Sequence, residues 1–440
     1  MTTADNEATG PEYRDDDAWA RAQDAQDPLN SLRSDFLFPH TPSPGDPKAH
    51  SPGDRAAPGG EVLYFAGHSL GLQPRKARSY VLEELDDWAR LGVEGHFAGR
   101  HPWLGYHELL TAPTARLVGA LPDEVVVMNT LSVNLHLMMV SFYRPTAARH
   151  RILIEARAFP SDRYAVDSQA RFHGFDPDEA ILQAANGEEV LRQLDEHGDS
   201  IALVLIGGVN YLSGEAFDIE AIARAGHARG CLVGFDLAHA VGNLPVRLHD
   251  HDADFAVWCN YKYLNAGPGG LGGCFVHQRH AQAALPRFAG WWGHDKATRF
   301  AMGPVFKPIA GAEGWQLSNP PILPLAVLRA SMELFDQAGI ERLRAKSLRL
   351  TGYLEWLIDR LPEGHCELLT PRDPARRGAM LSLKIAHGAQ ALATRLAAQG
   401  ALCDYRQPDM LRIAPAPLYC GFADVQRLAG LLRAFWSAND

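Results

Sequence analysis

A chain of 440 residues is longer than one compact core usually accommodates, so two or three domains or subdomains are expected. The 46% hydrophobic and 21% charged residues are those of an ordinary globular protein, and a formal net charge of -10 argues against nucleic acid or an anionic membrane as main partner. No apolar run reaches the roughly 20 residues of a membrane-spanning helix. The acidic opening, MTTADNEATGPEYRDDD, lacks the apolar stretch of a secretory or transit signal. Cys231, Cys259, Cys274, Cys366, Cys403 and Cys420 form no CxxC pair and no zinc spacing, so structural thiols in a reducing cytoplasm, and no metal site, are expected.

In chain order, residues 1–14 are polar and read as a disordered tail. Residues 15–60 join helix-like DDDAWARAQDAQDPLNSLRSDFL to a Pro/Gly/Ser loop, PHTPSPGDPKAHSPGDRAAPGG. A short strand, EVLYFAG, opens a large domain expected over 61–325. It leads into a helix on which Val81, Leu82, Leu85, Trp88 and Ala89 share one face. From about residue 120, apolar runs (VVVMN, RILIEA, IALVLIGGVN, CLVGFD, DFAVWCN) alternate with helical patterns such as LSVNLHLMMVSFY and IEAIARAGHARG. That alternation predicts βαβ units: an α/β large domain on a mostly parallel sheet covered on both faces. Beyond about 325, the long helical patterns AVLRASMELFDQAG and ERLRAKSLRLTGYLEWLIDRL, with short strands AMLSLKI and MLRIAP, predict a smaller α+β domain over 326–440.

Ligands of open parallel sheets collect beyond the carboxyl ends of the strands, and three such ends carry unusual polar residues. CLVGFD ends in Asp236 with His239 close behind. RILIEARAFPSD delivers Phe159 and Asp162, and WCNYKYLNAGPGG sets Lys262 between Tyr261 and Tyr263 ahead of a glycine-rich loop. An amine at the end of an apolar strand is poorly hydrated, which lowers its pKa toward a reactive free base suited to Schiff-base chemistry. Each feature alone has a plain reading: a surface lysine, a helix-capping aspartate, a tight turn. Together, an aspartate and a lysine 26 positions apart on successive strand ends fit one cofactor, pyridoxal phosphate. Its aldehyde needs the lysine, its ring nitrogen a carboxylate, its ring an aromatic face, and its phosphate a helix N-terminus such as that at Asn129-Thr130-Leu131-Ser132.

From about residue 18 onward the chain resembles the kynureninases, fold-type I pyridoxal-phosphate enzymes of the class-V aminotransferase group. The resemblance is carried by YFAGHSLGLQP, VVVMNTLSVNLHL, EARAFPSDRYA, VGFDLAHAVGN, WCNYKYLNAGPGG, GWWGH, SNPPIL and RIAPAPLY. It implies Lys262 as the Schiff-base lysine, Asp236 and Asp162 near the pyridine nitrogen, Phe159 as the stacking ring and His239 on the phenolic-oxygen side. Leu131, Ser132 and Tyr261 match phosphate-end positions. Trp291 and Asn319 match positions that reach the cofactor from a neighbouring subunit, implying a homodimer with shared sites. Arg412 matches the arginine that grips the substrate α-carboxylate, with a fork suited to that anion. Three departures accompany the match: His68 where asparagine is usual, Gly207 where a polar side chain is common, and Ser132 in place of threonine.

The implied reaction is hydrolysis of kynurenine or 3-hydroxykynurenine to alanine and the corresponding anthranilate. It belongs to tryptophan degradation along the kynurenine pathway, from which pyridine nucleotide (NAD) biosynthesis is also fed. Tyr261 is the expected proton carrier. Ser69, His96, Ser318 and Asn319 are expected at the aryl end, favouring the 3-hydroxy substrate because a polar pocket rejects an analogue lacking the hydroxyl. Two other readings compete. A cysteine desulfurase would need a reactive thiolate near the lysine, and Cys259 and Cys274 suit packing better. A non-catalytic cofactor-binding protein would not need the lysine, aspartate and arginine together. No GxGxxG supports a nicotinamide enzyme. HDHD at 249–252 reads as a solvated turn, and HELL at 107–110 lacks the second histidine of a zinc helix.

Overall fold

The structure, a computed structural model, describes residues 12–40 and 60–437. Most of the tail over 1–14 and of the Pro/Gly loop therefore lies outside the described residues. Where the described chain begins, the Tyr13 ring packs against Trp19, Tyr353 and Trp356.

Seven strands form the large sheet: β1 (Val125–Met128), β2 (Arg151–Glu155), β3 (Ile181–Ala184), β4 (Ile201–Gly207), β5 (Leu232–Asp236), β6 (Phe255–Cys259) and β7 (Gly272–Val276). Their order is β1-β7-β6-β5-β4-β2-β3. The pairs from β3 to β6 are parallel, whereas β7 runs antiparallel to both β1 and β6. The sequence pattern misses β3 and β7. The first, ILQA, is short and only half buried, and the second, GGCFV, follows its glycine loop without a helix between.

The apolar runs are continuous because both faces are buried. Leu203 and Leu205 join one core layer with Ile152, Ile154, Val257 and Phe142. Val204 and Ile206 join the opposite layer with Leu153, Val233, Phe235 and Trp258. Every strand therefore feeds two cores, and its carboxyl end is held from both sides.

A second, antiparallel sheet comprises β8 (Cys366–Leu368), β9 (Leu381–Ile385), β10 (Asp404–Arg406) and β11 (Met410–Ile413), in the order β8-β9-β11-β10. The helices Ile322–Ala338 and Ile340–Ile358 precede it, and Phe422–Ser437 closes the described chain. The predicted strand EVLYFAG shrinks to Leu63–Tyr64, which pairs in parallel with Ala401–Leu402. Phe65 O then accepts Ala414 N–H. This stitching delivers the loop GHSLG to the large sheet. A Cβ at Gly71 would stand 2.3 Å from both Lys262 O and Asn265 Oδ1, so only glycine lets the two loops meet.

The helix Ala77–Leu91 forms as predicted, but its apolar face does not enter the core: Leu82 is 44% and Trp88 62% exposed. The adjacent side, with Ala77, Tyr80 and Glu84, packs against Ile322–Ala338, and of the apolar stripe Val81 joins the core edge. HDHD is likewise more than a solvated turn. His249 Nδ1 lies 2.8 Å from Oε1 of the fully buried Glu124.

Candidate active site

Asp236 ends β5, and its Oδ1 accepts Ala238 N–H at 2.8 Å, which fixes the carboxylate at the strand terminus. The neighbouring strand β6 ends at Cys259, so Lys262 lies in the turn beyond it and is half-buried, not sealed inside the apolar run. Between β5 and β6 the crossover contains no helix, which keeps the two ends adjacent. Lys262 Nζ is 3.2 Å from His239 Nε2 and 5.8 Å from the centroids of the Phe159 and Tyr261 rings.

Phe159 caps the helix Pro160–Phe172, whose first turn carries the buried Asp162. The Phe159 ring meets Tyr211 edge-on at 5.2 Å, a contact that sets the ring's pose. Leu131 and Ser132 begin the helix Leu131–Phe142, where Thr130 provides no side-chain cap and leaves first-turn N–H groups for an anion. Ser132 Oγ lies 2.8 Å from Ser161 Oγ.

These groups line one cavity of about 550 Å³, its open mouth included. It gathers Leu131, Ser132, Phe159, Asp162, Gly207, Asp236, His239, Tyr261 and Lys262. It also gathers Glu155, Ser161, Val209, Tyr211 and Ala238, which the sequence had not singled out. Glu155 and Ser161 stand inside the motif EARAFPSD, so their nearness to Phe159 was the available signal. Tyr211 offered none, because its loop reaches Phe159 only through the sheet order.

The cavity is electrostatically unsettled. Burial, then the charge of Asp236, pushes the Asp162 carboxyl well above its ordinary range. Burial raises Glu155 to about 7 against the hydrogen bond it accepts from Gly207, and Asp236 adds to the rise. Burial, then Lys262, keeps His239 neutral. Burial also pushes the Tyr261 phenol up, so it holds its proton at neutral pH. Asp162 Oδ1 and His239 Nδ1 are buried without a hydrogen-bond partner among the described residues. Orphaned polar atoms of this kind call for a ligand. An amine, a carboxyl pair, an exposed aromatic face and an uncapped helix start fit pyridoxal phosphate.

Above the cavity, Arg412 on β11 is buried and pairs with Asp404 of the adjacent β10, Nη2 to Oδ2 2.8 Å, while its Nη1 donates to Tyr211 O at 2.6 Å. His68 is fully buried, its ring 6.3 Å from that of His239 and its Nε2 4.0 Å from Asp404 Oδ2. Burial, then Arg412, keeps His68 neutral. Besides Arg412, five expected substrate or cofactor residues do not line this cavity within one chain. His96 ends a short turn against Trp103, and Trp291 packs edge-on with Trp292 and Phe300. Ser318 and Asn319 are exposed. Ser69 lies in the GHSLG turn and is not among the lining residues.

No thiol here suits a desulfurase. Burial raises the pKa of Cys259 and Cys274 beside the lysine turn, and does the same for the other four cysteines. No helix among the described residues is long and apolar enough to cross a membrane.

Among solved structures, the fold is similar to a cysteine desulfurase, CsdA, from Escherichia coli (TM-score 0.74, 16% identity, covering 93% of this chain and 98% of that one). It is also similar to a C-DES mutant with glycine covalently linked to its PLP cofactor (TM-score 0.70, 16% identity, covering 84% and 96%). At such identity these likenesses establish the fold-type I architecture alone. Residues 343–432 match the family described as Kynureninase C-terminal domain. A kynureninase of Myxococcus xanthus is 61% identical over 429 residues, covering 96% of this chain and 97% of the relative. One of Koribacter versatilis is 56% identical over 418 residues, covering 93% and 95%. The chain belongs to the kynureninase family.

Proposed function

We propose that the protein hydrolyses the Cβ–Cγ bond of kynurenine and, preferentially, of 3-hydroxykynurenine, releasing alanine with anthranilate or 3-hydroxyanthranilate. Cleavage of kynurenine with pyridoxal phosphate follows from membership of the family. The observation that carries the reading is the convergence of Lys262, Asp236 and Asp162 on one cavity beside Phe159. When bound, the cofactor serves as an electron sink for the carbon bearing the amine.

The chain's own residues divide the work. Lys262 would anchor the cofactor and, as a free amine, would take the α-proton of the substrate. Asp236, with Asp162 beside it, would hold the cofactor's ring nitrogen, and Phe159 would stack on the ring. The first turn at Leu131 and Ser132, with Tyr261, holds the phosphate; the Gly207 backbone and His239 border the cofactor. Arg412, kept in place by Asp404, orients the substrate carboxylate. Tyr261, protonated at neutral pH, delivers a proton during hydration of the γ-carbonyl. Tyr261→Phe is expected to slow product release by about 10²-fold while solvent exchange of the α-proton continues. Equal slowing of both would remove Tyr261 from that step.

The site is completed by a second copy of the chain. Trp291 and Asn319 of the partner reach the cofactor, and His96, Ser69, Ser318 and Asn319 define the aryl end. Their absence from the cavity of their own chain supports this, as do the exposed Trp88, Phe97 and Phe300. Mixing Lys262→Ala protein with Asn319→Ala protein is expected to restore activity that neither has; no recovery after subunit exchange would rule out shared sites. Six thiols without a disulfide support a reducing cytoplasm. The test of function is a paired assay of the cofactor-loaded protein with kynurenine and 3-hydroxykynurenine. A higher kcat/KM for the hydroxylated substrate supports the preference, equal values remove it, and no anthranilate from either removes the reading.

A further inference from the structure

Glu155 takes no part in the functions assigned above, yet it is one of the most constrained groups of the cavity. Glu155, Gly207 and Asp236 are the last residues of β2, β4 and β5, three strands that lie side by side. Gly207 sits in register with Asp236. Glu155 reaches over the middle strand, and its Oε2 accepts the Gly207 N–H at 2.9 Å. A Cβ at position 207 would stand 2.7 Å from Glu155 Oε1. The carboxyl of Glu155 thus occupies the gap that glycine leaves, where it is 6% exposed and lines the cavity.

We propose that Glu155 is a third carboxyl of the cofactor cavity, seated in the Gly207 gap, which carries a proton and positions Asp236 beside it toward the cofactor's ring nitrogen. This rests on the reading of the cavity as a pyridoxal-phosphate site. The groups facing Glu155 are Asp236 from β5 and Asp162 from the helix after β2, with Lys262 as the nearby cation acting on Asp162. Three carboxyls packed into a buried space cannot all be charged, so the two pushed upward, Glu155 and Asp162, take up protons. Burial raises Glu155 to about 7, in keeping with that assignment. The polar group missing at position 207 is then supplied from the neighbouring strand, and Glu155 acts as a positioning residue for Asp236.

The test uses the cofactor-loaded full chain and reads the visible absorption of bound pyridoxal phosphate against pH, together with its dissociation constant. The wild-type protein is expected to show a spectral step near neutral pH. Glu155→Gln keeps the shape and the neutral form, so it is expected to bind the cofactor within about threefold of wild type and lose the step. Gly207→Ala leaves every charge in place but pushes the Glu155 head out of its gap, and is expected to weaken cofactor binding about tenfold and shift the step. An unchanged step in cofactor-loaded Glu155→Gln protein overturns the proposal, as does Gly207→Ala protein that behaves as wild type. A wild-type protein with no cofactor band overturns the cofactor reading itself and the proposal with it.

Discussion

The two ends of the large sheet treat buried carboxylates in opposite ways. At the amino end, just before β6, Asp254 is 2% exposed yet fully partnered. Its Oδ2 accepts Val233 N–H at 2.7 Å and lies 2.9 Å from His227 Nε2. Its Oδ1 lies 2.7 Å from His280 Nε2 and 2.9 Å from Arg279 Nη2. Burial opposes its charge, but the bonds from His227, His280 and Val233 win and hold it well below the usual aspartate range. At the carboxyl end, burial and then the charge of Asp236 push Asp162 upward, and burial raises Glu155 against the bond it accepts from Gly207. The same residue types therefore serve stability at one edge and, left unsatisfied, await a ligand at the other.

Substitutions at the two edges should separate these roles. Asp236→Asn is expected to lower kcat/KM on the order of 10³-fold while leaving the melting temperature of the cofactor-free protein unchanged or raised. Steady-state kinetics beside a thermal melt measure both; a large drop in melting temperature would make Asp236 a structural carboxylate like Asp254. Asp254→Asn is expected to do the reverse, removing about 3–5 kcal/mol of stability through an uncompensated cation cluster, with kcat retained by the folded fraction. Loss of kcat in protein that melts normally would erase the distinction.

The smallest effect lies in the pH dependence of urea unfolding. Asp254 has a depressed folded pKa, so its contribution is present above its ordinary value of 3.8 and fades as pH falls below it. Glu155 has a raised one, so its contribution is full below its ordinary value of 4.5 and is lost as pH rises through about 7. Each group contributes a slope of at most about 1.4 kcal/mol per pH unit within its window. Asp254→Asn should flatten the acid limb and Glu155→Gln the neutral one in cofactor-free protein. A Glu155→Gln curve parallel to wild type would mean that folding does not raise the pKa of this carboxyl.

The helix Ala77–Leu91 marks the limit of what periodicity can tell. Periodicity on Ala77–Leu91 correctly identified an apolar face, but period says nothing about what the face meets. Leu82 and Trp88 lie outward because Ala77 and Glu84 make the closer fit to Ile322–Ala338. His96, Ser318 and Asn319 were read from motif resemblance, and no local pattern fixes which cavity they meet.

What the sequence determined by itself was the set of strand ends and their chemistry. Short apolar runs bounded by turn residues and alternating with helical patterns fit strands buried on both faces, and polar residues directly beyond them emerge at one edge. Lys262, Asp236, Phe159 and Asp162 were legible for that reason. Only the tertiary structure decided which ends are neighbours. The order β6-β5-β4-β2 brings Glu155 across Gly207, and the register of β10 with β11 sets Asp404 on Arg412. Hydrogen-bonded strand pairing is a long-range choice made by the whole packed sheet, and the spacing of residues along the chain does not encode it.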